Sequence, residues 1–339
     1  MNAPSTAEGF SLVELMVAMT LGLILLAGVV RLVMDTSQSH REVTRAARLM
    51  ENGRYAVDLL YGELRHAGFY GRYTALDAPA AAGNPCATSL ATIEADMSYA
   101  VEGYDDVSGN PSLSCLSDAE HRDGTDILVI RRASTDDGTA VAALEPGLVY
   151  LQSHGSALRL FSATGDQPTN EANFNLTERD GSVTPVRRYR TDIYFVSDCK
   201  EDSCAGVSDP VPTLKRLELS TDGSAPQITP TPVPLVEGIE DMQLDYGIDR
   251  NDDGAPDESA PGSGDEYENL PASLSEWGNV VSVRVHLLAR SIERSTGYID
   301  DKLYHLGLHG TVGTFDDAFK RHVFVKTARV VNRSSRREE

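Results

Sequence analysis

After a short polar stretch the chain enters an apolar run, Leu12 to Val30, in which Glu14 is the only charged residue. A run of this length and apolarity predicts a helix able to span a membrane. Beyond Arg31 the residues turn polar, but apolar positions keep a helical spacing at Val43, Ala46, Ala47, Met50, Val57, Leu60, Tyr61 and Leu64. Arg41, Glu42, Arg45, Arg48, Glu51 and Asp58 fall between them and suit a solvated face. No proline interrupts the segment from Phe10 to Leu76, and Gly68 and Gly71 supply a stop. The pattern predicts one helix from Leu12 to Ala67, roughly 84 Å long at 1.5 Å per residue. Its first half suits a membrane, and its second half packs one face on a head. Gly53 and Gly62 weaken that second half. The alternative is two helices with a break near Ser37–Ser39.

From Asp77 to Asn84 the composition turns to Ala, Pro and Gly and reads as loop. Thereafter the period shortens to that of strands. Thr125–Arg131 is rich in β-branched residues, Leu148–Leu151 and Ala157–Phe161 flank a hairpin turn, and Arg188–Val196 and Leu214–Leu219 alternate. Prolines at 210, 212, 226, 230, 232 and 234 predict edge strands or a crossing loop. Val236–Tyr246 reads as one strand running into an acidic loop, and Asn279–Arg290 is the clearest strand of all. Lys302–Leu308 and His322–Val331 complete the set. No internal repeat is visible. The fold class is therefore α+β: a long N-terminal helix on an antiparallel β-sheet head, divided as residues 10–70 and 71–339.

Composition adds a compartment. The chain has 51 acidic against 30 basic residues, a net charge of −21, with 41% hydrophobic residues. That hydrophobic content suits a folded head. Its acidity repels phosphate backbones, so nucleic acid is not an expected partner. Four cysteines, Cys86, Cys115, Cys199 and Cys204, in a chain exported by its first helix read as two disulfides. Three connectivities are open. Cys86–Cys115 with Cys199–Cys204 is favoured, because each pair lies in a turn-rich stretch and closes a local loop. Neither pair has the C-x-x-C spacing of a metal site.

Glu14 lies two residues into the apolar run, where a carboxylate costs a few kcal/mol unless it finds a partner. The stretch Gly9-Phe10-Ser11-Leu12-Val13-Glu14-Leu15 resembles the processing site of type IV pilins and pseudopilins. The resemblance implies cleavage by a prepilin peptidase after Gly9, so that residues 1–9 are a leader, and methylation of the new terminal Phe10. It also implies pairing of Glu14 with a neighbour's terminal amine in the filament. One feature departs from the family: the leader contains no Lys or Arg, only Glu8, while Arg31 lies beyond the run. The N-inside orientation therefore follows from the resemblance and not from the flanking charges.

Four further stretches, at 124–134, 235–254, 277–291 and 319–332, resemble the PilW family of minor pilins, the counterparts of the J-type pseudopilin of type II secretion. LVEGIEDMQLDYGIDRNDDG, at 235–254, is the most telling. This resemblance implies a structural protein rather than an enzyme. The subunit would be stored single-pass in the inner membrane, in contact with its lipid, with a periplasmic head, and would then join a tip or priming complex of the pilus at the cell surface. The implied partners are other minor pilins, the major pilin, the prepilin peptidase and a tip adhesin. Two alternatives are a J-type pseudopilin of a type II secretion system and a ligand-binding surface module.

One stretch carries metal-like chemistry. Asp249, Asn251, Asp253, Asp257 and Glu258, with a carbonyl from Ala255, place hard oxygens around the turn at Gly254, which is how a chain wraps calcium. An EF-hand would close with Glu at 260, where the chain has Ala260, so an EF-hand is excluded. A calcium loop in a β context and a solvated acidic turn remain as equal readings, and no other cofactor is expected. His305 and His309 have helical metal spacing but lie in an alternating stretch, and Trp277 reads as core at the start of a strand. No nucleophile elbow, H-E-x-x-H or phosphate loop occurs.

Overall fold

The structure, a computed structural model, describes residues 11–334 except 74, 75, 77, 110, 112, 137, 140–142, 156, 163–174, 179, 208, 209, 260–263 and 265. The chain divides into two units, residues 1–48 and 49–339. The predicted helix, α1, runs unbroken over Leu12–His66, so no break falls at Ser37–Ser39. It ends at Gly68, whose φ of 70° is left-handed and whose N–H donates to Arg131 O at 2.9 Å. The first unit contributes the apolar half of α1, and Leu12 to Met34 are exposed throughout.

In the second unit the remainder of α1 is the spine of the head. Ala56, Leu60 and Leu64 are fully buried, each Leu stabilising by about 1.5–3 kcal/mol. They share one core with Leu128, Ile130, Tyr194, Val283, Val285, Leu287 and Ala328. Asp58 binds Lys326 at 2.5 Å, and Glu63 binds Arg132 at 2.9 Å. A short helix, α2 (Leu90–Asp96), is capped by Ser89.

Among the described residues, eight strands form the larger sheet: β1 (Val101–Val107), β2 (Thr125–Ala133), β3 (Val149–His154), β4 (Ala157–Ser162), β5 (Val186–Ser197), β6 (Thr213–Thr221), β7 (Pro226–Ile228) and β8 (Val233–Glu237). Its path is β1-β2-β5-β3-β4, with β6 also on β5 and both β7 and β8 on β6. The proline-rich stretch supplies β7 and β8, as edge partners. A smaller sheet holds β9 (Ile239–Ile248), β10 (Val280–Arg290) and, after β11 (Tyr304–His305) and β12 (Thr311–Val312), β13 (Arg321–Arg329), in the order β13-β10-β9. All ladders are antiparallel.

Several expectations are corrected. Val236–Tyr246 is not one strand: Gly238, at φ 82°, separates β8 from β9 and moves the chain between sheets. Lys302–Leu308 is not a strand either. Only Tyr304 and His305 pair, and a 3-10 turn at Gly307–His309 follows, because Gly307 and Gly310 adopt positive φ that alternation cannot continue. Trp277 closes a four-residue helix, α3 (Leu274–Trp277), capped reciprocally by Ser273 and Glu276. It stacks edge-on to Tyr246 at 5.1 Å, half-buried against the core. A last turn, α4, covers Val331–Ser334.

Both disulfides form, Cys86–Cys115 and Cys199–Cys204, and no described cysteine is free.

Candidate functional site

Gly9 and Phe10 lie outside the described residues, so the site begins at Ser11. Ser11 and Glu14 form a capping box at the head of α1: Ser11 N donates to Glu14 Oε2 at 3.1 Å, and Glu14 N donates to Ser11 Oγ at 3.2 Å. Leu15 N closes the first turn onto Ser11 O at 3.1 Å. The S-x-x-E spacing was visible in the sequence, yet sequence reasoning assigned Glu14 only an intermolecular role. The structure gives it a local one as well. Its Oε2 satisfies an amide that helix geometry leaves without an intrahelical acceptor, and Oε1 takes no hydrogen bond among the described residues. Behind this box the helix has an apolar window of mean hydropathy 2.4, none of it buried. The first unit therefore presents a carboxylate fixed at the tip of an uncovered apolar rod.

The acidic loop after β9 is tightly wound. Asp249 is fully buried and accepts from the amides of Asp252, Asp253 and Gly254 at 2.7, 3.3 and 3.0 Å. Asn251 Oδ1 accepts from Asp253 N, and Asp253 Oδ1 from Ala255 N. Asp257 Oδ2 accepts from Arg250 N and Asn251 N. Between Asp253 and Asp257 stands the Asn251 amide, whose Nδ2 donates to Asp253 Oδ2 at 3.1 Å and Asp257 Oδ1 at 2.8 Å. In this arrangement the amide nitrogen bridges the two carboxylates. Among the described residues no three acidic, His or Cys side chains form a metal-binding group. Ala255 and Glu258 are exposed, and Ala260 lies outside the described residues. Arg250 fastens the loop to Glu268 at 2.6 Å and Glu276 at 3.0 Å, a clamp the sequence did not reveal.

The histidines do not converge. His305 sits on β11, while His309, on the 3-10 turn, pairs with Asp106 at 3.0 Å. A buried His286–Asp245 pair at 2.9 Å has the look of a dyad. Asp245 directs its other oxygen to Leu308 N at 3.2 Å, so the pair fastens the turn to the sheet. Two buried arginines are likewise structural. Arg131 reaches Glu102 at 2.7 Å. Arg321 holds Glu240, Asp300 and Asp317. Asp126 accepts from Asp106 N and Leu244 N at 2.9 and 2.8 Å, and burial pushes its carboxyl up to about 8.

Residues 193–332, from β5 to α4, match the family of type IV pilus-assembly protein W. Residues 5–30 match the prokaryotic N-terminal methylation motif. Comparison with curated proteins and with solved structures gave no match. The matched regions hold the Ser11–Glu14 box and the strands from β6 to β13 with the last residues of β5; they include the resembling stretches at the N-terminus, 235–254, 277–291 and 319–332, while that at 124–134 lies outside them.

Proposed function

We propose that a chain carrying an assembly-protein W region and a methylation motif works as a minor pilin of the tip or priming complex. In this reading the apolar half of α1 stores the subunit in the inner membrane. Prepilin peptidase removes residues 1–9, and Phe10 becomes the methylated N-terminus. The role is structural: the helix leaves the bilayer for the company of other pilin helices, while the head faces the periplasm and then the cell surface. There it would meet other minor pilins, the major pilin and a tip adhesin.

The observation that carries the reading is Glu14. It is the single charge in the apolar run, held at the helix tip with Oε1 taking no hydrogen bond among the described residues. In a helical filament core an unpaired carboxylate is costly, and a neighbour's Phe10 amine compensates it. Glu14→Val should leave insertion and cleavage intact but exclude the subunit from complexes with other minor pilins. N-terminal sequencing of the membrane-extracted chain, with co-purification and pilus counts, tests it. A wild-type chain beginning anywhere but Phe10, or a Glu14→Val variant that assembles normally, overturns the reading.

We further propose that the Asp249–Glu258 loop takes calcium. Rotation of the Asn251 amide would exchange Nδ2 for an oxygen between Asp253 and Asp257, giving the all-oxygen set that calcium prefers.

A further inference from the structure

The small side chains of the loop at 78–84 leave space beneath it. Tyr99 Oη donates to Ala81 O at 2.6 Å, and Asn84 N donates to Asp96 Oδ2 at 3.0 Å, so the loop is strapped to the end of α2. At Gly83 the approach is so close that a Cβ would stand 2.5 Å from Glu102 Oε2. Between loop and helix lies a pocket of about 320 Å³, near the lower end of the range for small-molecule sites. Ala78, Ala80 and Ala81 line it from the loop, and Leu76, Met97 and Leu158 add apolar surface. Glu94 and Asp96 bring carboxylates.

Asp96 is 5% exposed, and its charge is incompletely compensated. The Arg131 guanidinium stands 3.9 Å from Asp96 Oδ2 but is committed to Glu102 at 2.7 Å. Glu102 also accepts from Tyr104 Oη at 3.0 Å. This buried group therefore holds one cation for two carboxylates. Arg333 donates to Ser98 O, yet the charges that act on Asp96 are those of Arg131 and Glu102. Burial raises the Asp96 carboxyl more than Arg131 lowers it. Oδ2 is taken by Asn84 N, whereas Oδ1 accepts no hydrogen bond among the described residues and is not sealed from the pocket.

These features select a ligand by charge, hydrogen bonding and size. An anion would be repelled by both carboxylates, and a neutral molecule leaves Asp96 uncompensated. A bare metal ion needs several oxygens, and among the described residues no three acidic, His or Cys side chains form such a group. A guanidinium prefers both oxygens of a carboxylate, and one of them is occupied. An ammonium needs only Oδ1, and a short alkyl chain behind it would cover Leu76, Met97 and Leu158. We propose that the pocket between the 78–84 loop and α2 binds a primary ammonium group on a short alkyl chain through Asp96 Oδ1. A free alkylamine and a lysine side chain of another protein share this chemistry.

The test is equilibrium titration of the detergent-solubilised full-length chain at pH 7 with n-butylamine, 1-butanol and butyrate, each corrected for empty micelles. The amine alone should bind. Asp96→Asn keeps an acceptor for Asn84 N and should weaken amine binding by at least about tenfold. Ala95→Leu, at an exposed position of α2 that lines the pocket, should weaken it by narrowing the space. Affinity should also fall in acid as Asp96 takes up a proton, in wild type and not in Asp96→Asn. Two further measurements separate the sources. Native mass spectrometry of the chain isolated from cells detects a retained small amine, and carbodiimide coupling in cells joins Asp96 to a lysine of another chain. The proposal is overturned by an amine that does not bind or an alcohol that binds as well. An unchanged affinity in folded Asp96→Asn or Ala95→Leu, or a chain carrying neither source, overturns it too.

Discussion

Replacing Arg321 by Leu should be the most damaging single change in the head. Arg321 is 1% exposed at its side chain, and it is surrounded by acid. It meets Glu240 through Nε at 2.5 Å and Nη2 at 3.1 Å, Asp300 through Nη1 at 2.9 Å, and Asp317 through both Nη1 and Nη2 at 2.7 Å. Its guanidinium also lies 3.7 Å from the Phe315 ring centroid. The substitution deletes the cation and leaves three carboxylates facing one another, two of them nearly or fully buried. Removing one partner of a buried pair costs about 3–5 kcal/mol. For a unit of roughly 290 residues, with an unfolding entropy near 2.1 cal/mol/K per residue, that lowers the melting temperature by about 5–8 °C. Hydrogen bonds from Arg321 hold the Asp317 carboxyl below the usual range. A depressed carboxylate stabilises above its unfolded value, and that contribution is lost as pH falls through the folded one. The gap between wild type and Arg321→Leu should therefore be widest near pH 7 and close toward acid. Thermal unfolding of the detergent-solubilised chain across that range measures it. A shift under about 1 °C at pH 7, or a gap that widens in acid, refutes the assignment of Arg321 as the anchor.

The disulfides should contribute unequally. By loop entropy the 29-residue separation of Cys86–Cys115 is worth about 3.6 kcal/mol and the 5-residue one of Cys199–Cys204 about 2 kcal/mol, so urea unfolding of the two paired Cys→Ser variants should rank them in that order. Calcium should raise the melting temperature, by about 2.7 kcal/mol of stabilisation at a hundredfold excess over Kd, and Asp253→Ala should abolish the gain; equal melting temperatures in calcium and in chelator would exclude a calcium site. Because burial holds Asp126 protonated to about pH 8, its stabilising contribution is present below the unfolded carboxylate value and is lost as pH rises toward 8. Asp126→Asn should accordingly lose less stability than wild type between pH 5 and 8 in parallel urea titrations, and parallel curves would refute that. Ser11→Ala should loosen Glu14 at the tip of α1, reducing co-purification with the partners proposed above less than Glu14→Val does.

Much of this architecture could be read from residue order, where burial imposed a period. α1 followed from the apolar run and the spacing of Val57, Leu60 and Leu64, while β2, β5 and β10 followed from β-branched alternation. The failures have local causes. β1, VEGYDDV, was missed because its polar residues and its register break erase alternation. α2 was missed because seven residues give too few turns for a period, although Ser89 caps it. At the site, Ser11 and Glu14 were legible as a spaced pair, as was the oxygen pattern of the acidic loop. Which hydrogen bonds those oxygens make was not, because the Asn251 bridge and the Arg250 clamp depend on the left-handed turns at Asp252 and Gly254 and on residues 268 and 276. Arg131 and Arg321 were hidden for a different reason. A charge in an alternating strand reads as solvated, and only tertiary structure brings carboxylates around it.

The salt bridge between Asp58 and Lys326 joins residues 268 positions apart, and the Leu60–Ala328 core lies between the same two elements. In time this is a long wait. At about 5–20 residues per second of synthesis, roughly 13–54 s separate the emergence of α1 from that of β13. Throughout that interval Leu60 and Leu64 lack the last strand of their core, so the head is completed late, around a helix already made. A pause, a truncation or a slow export step within those seconds leaves a ready-made apolar stripe exposed. Anything that monitors the birth of this protein should find its most vulnerable species there, in a chain synthesised almost to β13.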